Sequence, residues 1–463
     1  MTSLHYRPKP IGERKEAAWR QEAWTFCEGY KQFLDTAKTE REATTEAVRQ
    51  LQAHGFRPFS FGDPLRPGDR IYYENHHKSV IAAVIGRRPI AEGMRVLAAH
   101  IDSPRLDLKQ NPLYEKDGMA LLKTHYYGGI KKYQWTTIPL AIHGVLMLSD
   151  GSRREIRLGD EEGDPVFYID DLLPHLAQDQ MKRDAANVVR GEELNIVVGS
   201  LPSGQTQDES GEKISERVKE NILRLLHEKY GMVEQDFLAS ELEAVPAFPA
   251  RDVGLDRSFV GAYGQDDRVC AYPALQAVLE LEQVDRTAVV ILTDKEEAGS
   301  VGNTGLQSAY FRYFAADVAE TLGSNDRTVL SHSECLSADV NAAYDPTFAD
   351  VSERMNASFV NKGVVLTKFT GARGKSGASD AHAEFQAGVQ HLLDAHDIPW
   401  QIGELGRVDL GGGGTVAGYQ ANLGMNVLDA GVAVLSMHAP YELTAKLDIY
   451  ATYQAFVTFL KNE

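Results

Sequence analysis

Cysteine is scarce. Three residues, Cys27, Cys270 and Cys335, lie far apart in a chain of 463. They make no CxxC pair and no even framework, which excludes a disulfide-stapled fold and argues against a thiolate-built zinc site. Reduced, mostly buried thiols of a cytosolic protein are expected. Basic residues are outnumbered, with 48 Lys plus Arg against 66 Asp plus Glu, a formal net charge of −18. That balance argues against nonspecific nucleic-acid binding and against an anionic membrane surface, both of which need basic patches. No run of about 18 apolar residues occurs, so no membrane span is expected. The N-terminal MTSLHYRPKPIGERKEAAW has no apolar core and no small-residue cleavage site, and a cytoplasmic location follows. Internal repeats, heptad runs and low-complexity tracts are also missing.

What is present is an ordinary globular balance, 43% hydrophobic and 25% charged, in a chain long enough for two or three domains. Glu16 to Gly55 reads as helical, with Trp19, Trp24, Phe26, Tyr30, Phe33 and Leu34 at three-to-four spacings. IYYEN, SVIAAVIG and RVLAAHIDS then read as strands. From about residue 107 to 259 short strands alternate with turn signals, including SDG at Ser149 to Gly151, which predicts a hairpin. The polar stretch Leu201 to Lys213 predicts a mobile loop, and ISERVKENILRLLHEKYG a helix stopped by Gly. From Gly261 onward helix and strand alternate, which is the α/β rhythm. The expected organisation is a discontinuous α/β domain, 1–106 with 260–463, carrying an inserted β-rich domain, 107–259.

Several acids and histidines follow apolar strand-like runs. They are His100 and Asp102 in AAHIDSP, Asp266 in GQDDR, Glu296 and Glu297 in LTDKEEAGS, Asp339 in CLSADVNAA and His438 in LSMHAPYE. In open α/β sheets ligands bind beyond the carboxyl ends of strands, where groups from separate segments converge. Two histidines with several carboxylates make a donor set that zinc takes in hydrolytic sites. Asp102 suits the task of holding the His100 ring, and one of two adjacent glutamates can bind metal while the other moves a proton.

The segments HIDSPRLDLK, YYGGIKKYQW, GQDDRVCAY, DKEEAGSVG, SADVNAAYDP, DLGGGGT and LSMHAPYE resemble, in order and spacing, the aspartyl aminopeptidase family of di-zinc metallopeptidases. The resemblance covers nearly the whole chain. It implies a zinc-peptidase α/β/α sandwich with an inserted, barrel-like β-rich dimerisation domain, assembled into a tetrahedral dodecamer of subunits. It implies that His100 and Asp339 bind one zinc, that Glu297 and His438 bind the other, and that Asp266 bridges both. Asp266 is chosen over Asp267 because the family's bridging acid opens that motif. Asp102 would orient His100. Glu296 would be the general base for a bridging hydroxide that attacks the first peptide bond of a short peptide with a free N-terminus. Two zinc ions per subunit are implied, with cobalt or manganese as substitutes. A histidine from a neighbouring subunit's inserted domain stabilises the oxyanion in this family, and His175 in LLPHLAQ is the match.

One region departs from the pattern. Better-known members place a basic side chain in an NQRYAT-like segment to meet an acidic first residue. Here the corresponding region reads KFTGARGKSGASDAH, so a preference for Asp or Glu stays open, with Lys375 and Arg373 as candidates for a substrate carboxylate. The stretch is not a phosphate loop, because Phe369 stands where the first Gly would be needed. Two other readings stay open at this point: a related di-zinc carboxypeptidase or deacylase, and a non-catalytic self-assembling scaffold.

Overall fold

The computed structural model describes residues 4–5, 9–207 and 211–461. Residues 208–210, inside the polar stretch expected to be a loop, lie outside the described residues, as do parts of the N-terminal segment quoted above. The chain divides into two compact units. One comprises residues 1–103, 250–437 and 442–463; the other comprises 104–249 with the short return 438–441.

The first unit is built on a mixed sheet of nine strands. Four neighbours within it run parallel: Thr287–Thr293, Met94–His100, Glu334–Ser337 and Asn426–Gly431. Met94–His100 and Thr287–Thr293 are apolar runs the sequence marks as strands, and every residue of both is buried. Alternate side chains leave a strand on opposite faces. Leu97 and Ala99 accordingly join one core cluster, which includes Tyr30, Leu51, Leu275 and Phe456 from helices. Val96 and Ala98 join another, with Phe311, Phe314 and Val329. Helices therefore cover both faces, and the layers are α/β/α. A second sheet of five strands, among them Phe259–Ala262 and Glu442–Ala445, lies in the same unit.

The helical stretch read over Glu16 to Gly55 is two helices, Ala17–Thr36 and Glu40–Ala53. The break has a local cause. Thr39 caps the second helix by accepting the backbone N–H of Glu42, whose carboxylate accepts the N–H of Thr39. Such a reciprocal box satisfies two otherwise orphaned donors at a helix start.

The second unit holds a six-stranded antiparallel sheet. SDG at Ser149 to Gly151 turns the chain between Leu140–Met147 and Arg153–Leu158, which pair as the hairpin expected. Among the described residues no barrel closes. The edge strands Arg153–Leu158 and Asn195–Gly199 do not pair, because the chain between them makes only single bridges, Leu140 with Phe167 and Val197 with Tyr168. The helix Arg217–Tyr230 ends at Gly231, whose φ of 74° is the left-handed cap glycine adopts without strain. Among the described residues no helix is long and apolar enough to cross a membrane.

Candidate metal centre

The four parallel strands bring their carboxyl ends side by side. Thr293 pairs with His100, and Ser337 with Ala98. Adjacent strands sit about 4.8 Å apart, so side chains just past these ends meet. His100 closes its strand, Asp102 follows it, Glu296 and Glu297 lie just past Thr293, and Asp339 lies just past Ser337. Asp266 comes from the start of the helix Gln265–Leu279.

The buried His100 ring is held by both nitrogens. Nδ1 lies 3.1 Å from the Asp102 carbonyl oxygen and 3.3 Å from its carboxylate. With a proton on Nδ1 shared toward Asp102, Nε2 is the atom that would bind a cation. Nε2 is 3.2 Å from Asp266, 3.9 Å from Glu296 and 4.0 Å from Asp339. Ligand atoms of His100, Asp266 and Asp339 lie within 4.8 Å of one another, as do those of His100, Glu296 and Glu297.

Two residues hold the backbone of Asp266. Glu442 accepts its N–H at 3.1 Å and that of Gln265 at 2.6 Å, and the Ser103 hydroxyl donates to its carbonyl at 2.7 Å. Glu442 is the last residue of LSMHAPYE, and nothing in that motif distinguishes a backbone anchor from a surface acid, so it is not among the expected site residues. The acids 296 and 297 sit on a single tight turn, Glu296–Ala298, entered through Lys295 at φ 69° and left through Gly299 at φ 85°. Non-glycine residues in this region concentrate where surrounding structure over-determines a functional backbone.

The electrostatics call for a cation. Burial, then Asp267, push the Asp339 carboxyl well above the usual range. Burial also raises Asp267, with Asp266 adding to it. Burial alone would lower His100, yet Asp102, Asp266 and Glu296 together hold it well above its ordinary value. Asp339 Oδ2 is buried without a hydrogen-bond partner among the described residues. Carboxylates packed this closely either take up protons or share a positive ion. Imidazole nitrogen with carboxylate oxygen is a donor set zinc accepts, so these residues fit the metal.

Four further residues complete the expected set. His438 belongs to the return 438–441 of the inserted unit, where its Nδ1 meets the Gly129 carbonyl at 2.8 Å. His175 is exposed in the same unit. Lys375 is engaged: its ammonium is 2.9 Å from Asp380 and 3.8 Å from the Phe369 ring centre. Lys368 meets the same carboxylate, and the two lysines hold Asp380 below its ordinary range. Arg373 is exposed at φ 51°.

Residues 33–460 match the family model for the aminopeptidase I zinc metalloproteases, M18. The chain belongs to the M18 family. As an M18 member it is a zinc-dependent aminopeptidase, which decides among the three readings the sequence left open. It is 47% identical over 450 residues to a probable M18 family aminopeptidase 1 of Clostridium acetobutylicum, covering 96% of each chain. A crystal structure of an M18 aminopeptidase from Thermotoga maritima is similar at a TM-score of 0.93 and 42% identity, over 99% of this chain and 100% of that one. A dodecameric mApe1 from S. cerevisiae is similar at a TM-score of 0.76 and 21% identity, over 93% of this chain and 95% of that one, which speaks for the fold alone.

Proposed function

We propose that this aminopeptidase releases the first residue of short peptides using two zinc ions per subunit. His100 and Asp339 would hold one, Glu297 and His438 the other, with Asp266 between them. The observation that carries this reading is the meeting of His100, Glu296, Glu297 and Asp339, at the ends of adjacent parallel strands, with Asp266 from the start of the helix Gln265–Leu279, their carboxylates crowded in a buried site. Bound zinc supplies Lewis acidity and brings the pKa of water down toward about 7. Glu296 then takes the proton of the attacking water and returns it to the departing amine. Asp102 keeps the His100 tautomer fixed throughout.

Recognition of an acidic first residue falls in this reading to Arg373. The Lys375 charge is already met by Asp380. We further propose assembly into a homo-oligomer through the inserted unit, with His175 reaching a neighbour's site. Leu172, Leu173 and Leu176, which flank it, are at least half exposed, and apolar patches of this kind mark interaction surfaces. The dodecamer described for the yeast mApe1 is of the same fold. Three buried free cysteines agree with work in the reducing cytoplasm.

The decisive experiment is Glu296→Gln with zinc content measured alongside. Hydrolysis of an aminoacyl substrate should fall by about 10²–10⁴ while both zinc ions remain bound. A variant as fast as the parent removes Glu296 from the base role.

A further inference from the structure

The helix Arg217–Tyr230 of the inserted unit places Val218, Ile222, Leu225 and Leu226 on one face, the i, i+4, i+7, i+8 pattern of a core-facing stripe. Its N-terminal half is seated. Glu115 accepts the N–H of Val218 at 2.8 Å and of Lys219 at 3.0 Å. Gly199 allows close approach, since a Cβ there would lie 2.6 Å from Ile222 Cδ1. Toward the C-terminal half the packing is open: Leu225 is 53% exposed, and Leu225, Leu226 and Tyr230 border a pocket. It is, among the described residues, a cavity of about 510 Å³. Leu122, Ile142, Leu146, Ile156 and Leu242 line it from the sheet.

Well-packed interiors leave few voids larger than a water molecule. An apolar void of about 150 Å³ already stays dry and admits benzene, and pockets that hold small molecules run from about 300 to 1,000 Å³. We infer that this cavity is a binding site for an uncharged aliphatic molecule. The lining settles the apolar part. The rim settles the charge. Glu228 stands at the edge, and the one cation lining it among the described residues, Lys229, already faces Asp164 at 3.8 Å. The neighbouring Tyr230 phenol is pushed up to about 12 by burial, with Asp164 and Glu161 adding to it. An anionic headgroup would meet these acids without a free partner.

The test is calorimetric titration of the full-length protein with 1-decanol and with decanoate, repeated on Leu226→Trp and Val198→Phe, which fill the cavity from helix and sheet. The parent should bind decanol saturably, one molecule per chain, and decanoate at least about tenfold more weakly. Both variants should lose decanol binding and keep peptide hydrolysis. If Leu226→Trp fails to fold, Val198→Phe and the comparison of the two ligands still decide. The inference falls if the parent shows no saturable decanol binding, as it would were another copy of the chain to fill the space. It falls equally if decanoate binds as well as decanol, or if folded filled variants bind like the parent.

Discussion

Asp102 Oδ2 accepts the backbone N–H of Glu297 at 3.1 Å, although 195 positions separate the two residues. Oδ1 does the same for Glu296, also at 3.1 Å. One carboxylate therefore both faces the His100 ring and fixes the turn that carries two acids of the centre. Its role is positional: it acts on the reaction through groups it holds in place.

Asp102→Asn keeps the size but leaves one acceptor oxygen for two N–H groups. Outer groups of this kind typically cost about 10–100-fold in metal affinity or activity when removed. The expected result is a loss of that size in kcat together with weaker zinc retention on dialysis. Normal zinc binding and kcat in the variant would show that the turn needs no such clamp.

Gly431 tests the Asp339 arm. An added Cβ would lie 1.9 Å from the Asp339 carbonyl oxygen and 3.0 Å from Cys270 Sγ. Overpacking of this kind costs about 1–3 kcal/mol. Gly431→Ala should lose stability in urea and zinc affinity together. Gly418→Ala, where nothing lies within 4 Å, is the matched control and should change neither.

Asp448 sets a pH dependence of its own. It accepts the N–H of Asn361 at 2.6 Å and of Gly363 at 2.7 Å. Burial pushes its carboxyl up from 3.8 to about 7. Between these values the native state holds a proton the unfolded chain has released, so stability falls as pH rises through this window and levels off above it. Urea titrations at about pH 5 and about pH 8 should show Asp448→Asn losing less stability across that interval than the parent. An identical loss in both would place the effect on another group.

Chelation should expose the crowding of carboxylates. With zinc at a hundred times its Kd, the ion stabilises the native state by about 2.7 kcal/mol. Metal-free protein should melt at lower temperature and be inactive, and zinc should restore both. A stripped protein with unchanged Tm and full activity would exclude the metal from function.

Several strands and helices could be read from the chain because apolar periodicity is a local property. RVLAAHIDS and TAVVILTDKEE announced strands, and the acids at their ends announced where a site could lie. Thr39 with Glu42 also carried a readable break within the helical stretch from Glu16 to Gly55, since a capping box is confined to four residues. Local pattern could not reveal that Asp102 holds the backbone of Glu296 and Glu297, that Glu442 anchors Asp266, or that Asp380 occupies Lys375. Each is a contact between residues that only strand pairing or loop packing brings within hydrogen-bond reach. Nor could it tell that a pocket lies between the helix Arg217–Tyr230 and the sheet. An apolar stripe records which face turns inward, and the distance to the opposite wall is settled only when both walls are in place.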